Sequence, residues 1–364
     1  MRKIPTALVL ALISVPALAL ADGYVPILPD PGRVAEGIRF DDIFVEQMPD
    51  GTLQEFSRCG APRVDQGIEV LGPLNPLGGS TADCDGSSNP DPMYDPFPGG
   101  SYLIDVWVHV IRDGPPATTG DVPLAEIYEQ LAVLNEDFRA IPGSNGAPGS
   151  DTRFFFRLVG TEITENTAYF NDGGAYYNEL AQSPSTILNI YTNQAGGNLG
   201  YVPFLPHQAP GLIGTNQDRA VILWSTFGRD RGIFLGYDLG RTTTHELGHF
   251  FGLEHTFAQG GCPSAANPAC LSNGDWVCDT PPENAPNFNV CPPGTVDSCT
   301  GQPGNDPIEN YMDYSFDGCM DRFTPHQQRR IRCTIEHYRT GLLQPILFYD
   351  DFETGNTSAW DFTN

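Results

Sequence analysis

Three histidines and one glutamate carry the reactive chemistry legible in this chain. They fall in one run, His245-Glu246-Leu247-Gly248-His249-Phe250-Phe251-Gly252-Leu253-Glu254-His255. On a helix, residues four apart share a face, so His245 and His249 can hold one metal ion between them. Glu246, one step round, can reach a water at that metal without being a ligand. Gly252 can adopt a left-handed conformation, end the helix and bring His255 back as a third nitrogen. Three protein ligands leave a fourth position for water, the mark of a catalytic rather than a structural zinc site. Zinc lowers the pKa of such a water from ~15.7 toward ~7 and polarises a carbonyl. Glu246 would take the proton of that water and pass it to a leaving amine, and a further donor would steady the oxyanion. The competing reading, a helix with surface histidines, does not account for five fixed residues at this spacing. His109, His207, His326 and His337 lack it and read as structural or solvated histidines.

The elements that must position this run can be read from periodicity. Residues 102–112 alternate apolar and polar and are rich in β-branched types, which predicts a strand. Residues 123–139 place Leu124, Ile127, Leu131, Leu134 and Phe138 at helical spacing. Strands are expected at 153–160, 186–192 and 220–225, and a helix from about Thr242 carries the histidines. Residues 256–310 are rich in Cys, Pro and Gly and predict irregular structure. Thr324-Pro325 is a helix start that opens a last helix through about Tyr338. The order predicts an α/β (α+β) domain: a mixed sheet, a backing helix, an active-site helix, a Cys-rich lower part and a C-terminal helix.

Composition bounds the surroundings. Residues 1–21 have a basic start at Arg2 and Lys3, an apolar run and an Ala19-Leu20-Ala21 cleavage pattern, so they read as a secretory signal peptide; the run is too short to span a bilayer. The alternative is an N-terminal anchor helix. The formal charge is −26, which argues against nucleic acid and anionic membranes and suits calcium. Nine cysteines in an exported chain imply disulfides with one left over. Residues 22–98 lack periodicity, and 78–100 read as an exposed linker. The expected organisation is a signal peptide (1–21), a propeptide with linker (22–98), a catalytic domain (99–343) and a tail (344–364). The oligomeric state is not legible.

The run HELGHFFGLEH resembles the metzincin pattern HExxHxxGxxH. Asn310-Tyr311-Met312-Asp313-Tyr314, with Met312 57 residues after His255, resembles the methionine turn that lies beneath the metal in metzincins. Thr256 stands where astacins carry Glu. The NYMDY segment with Gly318-Cys319-Met320 is similar to the pappalysins, the ulilysin type in particular. The resemblance implies a zinc-dependent endopeptidase acting on proteins or peptides, secreted to the exterior or the periplasm. It implies Tyr314 as the oxyanion donor. It implies Asp317 at the base of the pocket that takes the residue after the cut, favouring Arg, and less so Lys, since a buried carboxylate selects a guanidinium fork. Asp275, the Cys278 carbonyl and Thr280 resemble a calcium loop, against the alternative of an ordinary Asx turn. The family disulfides map onto Cys262–Cys299 and Cys291–Cys319. Cys270 and Cys278 have no clear counterpart and could pair with each other, and Cys84 and Cys333 could form a further pair; the full connectivity is not readable from sequence.

Ser57-Arg58-Cys59-Gly60-Ala61-Pro62 resembles the cysteine-switch segment of matrix metalloprotease propeptides. A thiolate at the open coordination position would keep the enzyme latent. The alternative is a Cys59–Cys84 disulfide. The competing functions are a metzincin of astacin-like or matrixin-like specificity, and a secreted non-catalytic binding module on a zinc fold. Glu246 speaks against the latter.

Overall fold

A computed structural model describes residues 43–47, 53–57, 59, 81–84, 92–96, 101–114, 119–258, 262, 274–288, 291 and 296–346. The centre is a six-stranded sheet. Its strands are β3 (Ser101–Arg112), β4 (Phe154–Glu165), β5 (Leu188–Asn193), β6 (Gly200–Tyr201), β7 (Arg219–Leu223) and β8 (Gln344–Ile346). The main path runs β4-β3-β5-β7-β6. The first four are mutually parallel, β6 closes one edge antiparallel to β7, and β8 pairs antiparallel with the start of β3. β5 and β7 are buried along their whole length. That is expected of inner parallel strands covered on both faces.

Helix α1 (Leu124–Arg139) links β3 to β4 and buries Ile127, Leu131, Leu134 and Phe138 on the sheet. Its C-cap, Ala140, is left-handed and closes onto the Glu136 carbonyl. Two one-turn helices, α2 (Thr167–Phe170) and α3 (Tyr177–Leu180), fill the passage to β5. Helix α4 (Arg241–Phe250) carries the first two histidines and is buried at every position. Helix α5 (Pro325–His337) begins with a full capping box of Thr324 and Gln327. The expected strands and helices therefore form, within a few residues of their expected bounds. The additions are β6, β8, the short helices and a separate antiparallel hairpin, β1 (Ile43–Gln47) with β2 (Leu53–Ser57).

The exposed linker expected over 78–100 is corrected in its described parts. Two 3₁₀ turns, Thr81–Cys84 and Pro92–Tyr94, dock on α5. Cys84 is joined to Cys333. The Tyr94 hydroxyl lies 2.7 Å from His337 Nε2, and Asp95 pairs with Arg329 at 2.6 Å. A disulfide and one buried aromatic ring hold a segment whose composition resembles a loop. Cys262–Cys299 and Cys291–Cys319 are bonded, and Cys278 is in a disulfide too. Cys270 lies outside the described residues, as do the signal segment and residues 347–364.

Candidate metal centre

Local sequence explains why α4 starts where it does. Gly240 takes a left-handed φ of 81° and offers no side-chain cap. The cap comes from far along the chain. Asp317 Oδ2 accepts the N–H groups of Leu239 and Arg241 at 3.0 and 3.1 Å, a buried carboxylate on the positive end of the helix. At the other end Gly252 has φ 90°, and a Cβ there would strike the Thr334 side chain. Gly252 turns the chain, as its position implied, and His255 comes back toward α4.

The three imidazoles converge. The Nε2 atoms of His245, His249 and His255 lie 3.0 to 3.2 Å apart. His245 Nδ1 donates to the Tyr311 carbonyl at 2.6 Å, and His249 Nδ1 donates to the Leu253 carbonyl at 2.7 Å. Those bonds put the ring protons on Nδ1 and leave Nε2 lone pairs pointing at each other. Two such nitrogens cannot hydrogen-bond, so the close approach is repulsive unless a cation lies between them. Ligands of a tetrahedral zinc at ~2.0–2.1 Å from each nitrogen stand about 3.3 Å apart. The donor set therefore fits zinc, and carbonyl partners on Nδ1 are the usual support of a metal-binding histidine.

The surrounding residues close the site. Phe257 stacks on His255 with ring centroids 4.7 Å apart and planes at 11°. Met312 lies under α4: a side chain at Gly248 would collide with its sulfur. The Tyr314 hydroxyl reaches His255 Nε2 at 3.1 Å. Gly200 on the edge strand β6 packs against the Glu246 side chain, so nothing larger fits there. Cys59 joins the same centre. Its sulfur and the ligand atoms of the three histidines all lie within 4.8 Å of one another. It is also 3.5 Å from Glu246 Oε2. β2 ends two residues earlier and runs beside the turn at Ala195–Gly197.

Two buried acidic groups flank the histidines. On one side Asp137 of α1 faces Arg241 at 3.1 Å and accepts from Thr244 at 2.6 Å and Tyr311 at 2.9 Å. Complete burial pushes its carboxyl up to about 6 while the Arg241 guanidinium pulls it down. On the other side Glu283 accepts from the hydroxyl of Thr256, the residue after the third histidine, at 2.6 Å. It also accepts from Asn287, which reaches Asp306, and the Asn287 N–H donates to Asp313 at 3.0 Å. Burial and then the charge of Asp313 drive the Glu283 carboxyl well above its ordinary range.

The sequence-derived site residues thus gather around one point: His245, Glu246, His249, His255, Met312, Tyr314 and Cys59. Asp317 lies instead at the start of α4. Asp275 and Thr280 meet each other, with the Thr280 hydroxyl 2.9 Å from both carboxylate oxygens. The carbonyl that the hydroxyl meets is that of Val277, at 2.7 Å, one residue before the expected Cys278. Burial pushes Asp275 up to about 7. Sequence reasoning missed Asp137, Thr244 and Arg241. Asp137 sits between Leu134 and Phe138 in an amphipathic pattern, where an acid reads as a solvated residue.

Known proteins give the same picture. The model of the peptidase family described as pregnancy-associated plasma protein-A matches residues 236–336. An extracellular metalloprotease of Colletotrichum graminicola is 39% identical over 242 residues, 66% of this chain and 78% of that protein. One from Pyricularia oryzae is 34% identical over 288 residues, 78% of this chain and 90% of that one. Among solved structures, a promirolysin mutant of Tannerella forsythia aligns with a TM-score of 0.56 at 27% identity, covering 69% of this chain and 87% of its own. Mature mirolysin of the same organism, in complex with a cleaved peptide, gives 0.52 at 29%, covering 68% and 100%. The converging imidazoles, the methionine beneath them and these relatives agree: the chain belongs to the pappalysin family of zinc metalloendopeptidases.

Proposed function

We propose that this protein is an exported endopeptidase, made latent, that hydrolyses peptide bonds of proteins before Arg or Lys. The observation that carries the reading is the cluster of three Nε2 atoms with Glu246 and the Cys59 sulfur beside it. His245, His249 and His255 would hold the zinc. Zinc, when bound, polarises the scissile carbonyl and acidifies water. Glu246 takes the proton of the attacking water and delivers it to the leaving amine. The Tyr314 hydroxyl, already at the His255 ring, donates to the oxyanion once it swings off that nitrogen. Asp317, a buried carboxylate at the start of α4, would supply the Arg preference by meeting the substrate guanidinium. Asp275 and Thr280 would contribute oxygens to a structural calcium ion. Export is supported by the leader pattern of residues 1–21 and by the extracellular naming of the fungal relatives.

Latency follows from Cys59. Its sulfur lies within 4.8 Å of the three histidine ligand atoms and 3.5 Å from Glu246 Oε2, so it would block a ligand position and occupy the base together. The removable segment begins at residue 22. Its far end shifts from about 98 to before Cys84, because Cys84 is bonded to α5. The test is metal analysis with casein hydrolysis, run on the full chain and on Cys59→Ala, with and without chelator. We expect one zinc per chain, chelator-sensitive cleavage, and at least a tenfold rise in activity of the uncleaved Cys59→Ala protein. A Cys59→Ala protein as silent as its uncleaved parent ends the latency reading. Absence of zinc ends the whole reading. A peptide library read for the residue after the cut separates this specificity from an astacin-like or matrixin-like one.

A further inference from the structure

Asp137 lies on the backing helix, 108 residues before His245, yet its carboxylate meets both chain segments that fix that ring. Oδ2 accepts the hydroxyl of Thr244, the residue immediately before His245 on α4. Oδ1 accepts the hydroxyl of Tyr311, whose own carbonyl takes the Nδ1 proton of His245. The same Oδ1 faces Arg241, one turn earlier on α4. One carboxylate, 0% exposed, therefore ties the helix that carries His245 to the turn that orients it. An ion pair with Arg241 needs only one such contact. The two hydroxyl bonds flank a single imidazole.

We propose that Asp137 is a positioning residue for the metal, acting through Thr244 and Tyr311 to keep His245 in its metal-binding tautomer and rotamer. The inference rests on the zinc reading above. The physical ground is that a ring with Nδ1 bonded to a carbonyl presents its Nε2 lone pair only while that carbonyl stays in place. The carbonyl belongs to Tyr311, whose side chain is anchored on Asp137, and the ring belongs to the helix whose Thr244 is anchored there too. Loss of the clamp frees one to drift from the other.

Zinc release tests this, measured by competition with a chromophoric chelator on the zinc-loaded protein, far below its unfolding temperature. Asp137→Asn keeps the side-chain shape and weakens all three contacts. Tyr311→Phe keeps the ring and removes one. Leu134→Ala, fully buried one turn earlier on α1, lowers stability through a cavity without touching the clamp. We expect release to quicken about 10–100-fold in Asp137→Asn, several-fold in Tyr311→Phe, and not at all in Leu134→Ala. Parental release rates in the two clamp variants overturn the proposal, as does equal acceleration in Leu134→Ala. If Asp137→Asn does not fold, Tyr311→Phe alone decides. A parent that binds no zinc sinks the site reading instead, so the two failures are distinct.

Discussion

The acids on the two sides of the histidines are equally buried and behave differently. Asp137 faces a guanidinium and two hydroxyl donors, and its carboxyl comes to rest near 6. Glu283 also has two donors, but the charges that act on it are those of Asp313 and Asp306, and both add to burial in driving its carboxyl well above the ordinary range. Burial alone opposes ionisation in both. The sign of the neighbours decides the outcome. The α1–α4 side is balanced by Arg241 and, at Asp317, by helix amides. On the side built from the Cys-rich stretch, neighbouring carboxylates add to burial in raising the Glu283 carboxyl. Both carboxyls are raised in the folded protein, so both make stability a function of pH.

The comparison can be broken at several points. The largest expected effect lies between the two sides: Glu246→Gln leaves both intact and should lower kcat about 10²–10⁴-fold. Thermal unfolding should be nearly unchanged. A variant that hydrolyses casein at the parental rate removes Glu246 from the chemistry. Next comes Asp137→Ala, which strands Arg241 in the interior. We expect a loss of about 3–5 kcal/mol in urea unfolding; a loss under 1 kcal/mol shows that Arg241 does not depend on it. The smallest effect is the most diagnostic. A carboxyl raised in the folded state contributes stability below its unfolded value, and that contribution is lost as pH rises through the raised value. Glu283→Gln cannot ionise. It should therefore raise stability by about 1–2 kcal/mol at pH 8 and leave it unchanged at pH 4. A benefit independent of pH contradicts protonation of Glu283. A loss at every pH points to a bound cation as the balancing charge.

Much of this molecule is legible in its residues because short-range rules suffice. Five apolar positions at helical spacing specify α1, four of them buried and Leu124 exposed at its first turn, and Thr324-Pro325 specifies the start of α5. HExxHxxGxxH needs only a helix and one glycine turn to bring three rings together. What sequence does not display is pairing between distant segments. Asp317 caps a helix 76 residues earlier in the chain, Cys84 bonds a cysteine 249 residues away, and Asp137 reaches across to Tyr311. Each is a single polar or sulfur atom whose partner is set by the fold, so no local period announces it. β6 was missed for a different reason. Two residues carry no alternation, and its place is set by the edge of β7.

The Cys84–Cys333 bridge bears on how such an enzyme would be switched on. If Cys59 holds the enzyme latent as proposed, a nick anywhere in residues 85–100 would not part that thiol from the metal centre, since the fragment would stay bonded to α5 through sulfur. Some 25 residues of sequence separate Cys59 from Cys84, so the thiol would stay tethered to the same molecule after such a nick. Such a nicked protein would then stay silent, run as one band on a gel without reductant and as two with it. Activation would then have two routes, scission between Cys59 and Cys84 or opening of the disulfide, and only the first would be open to an enzyme in an oxidising medium.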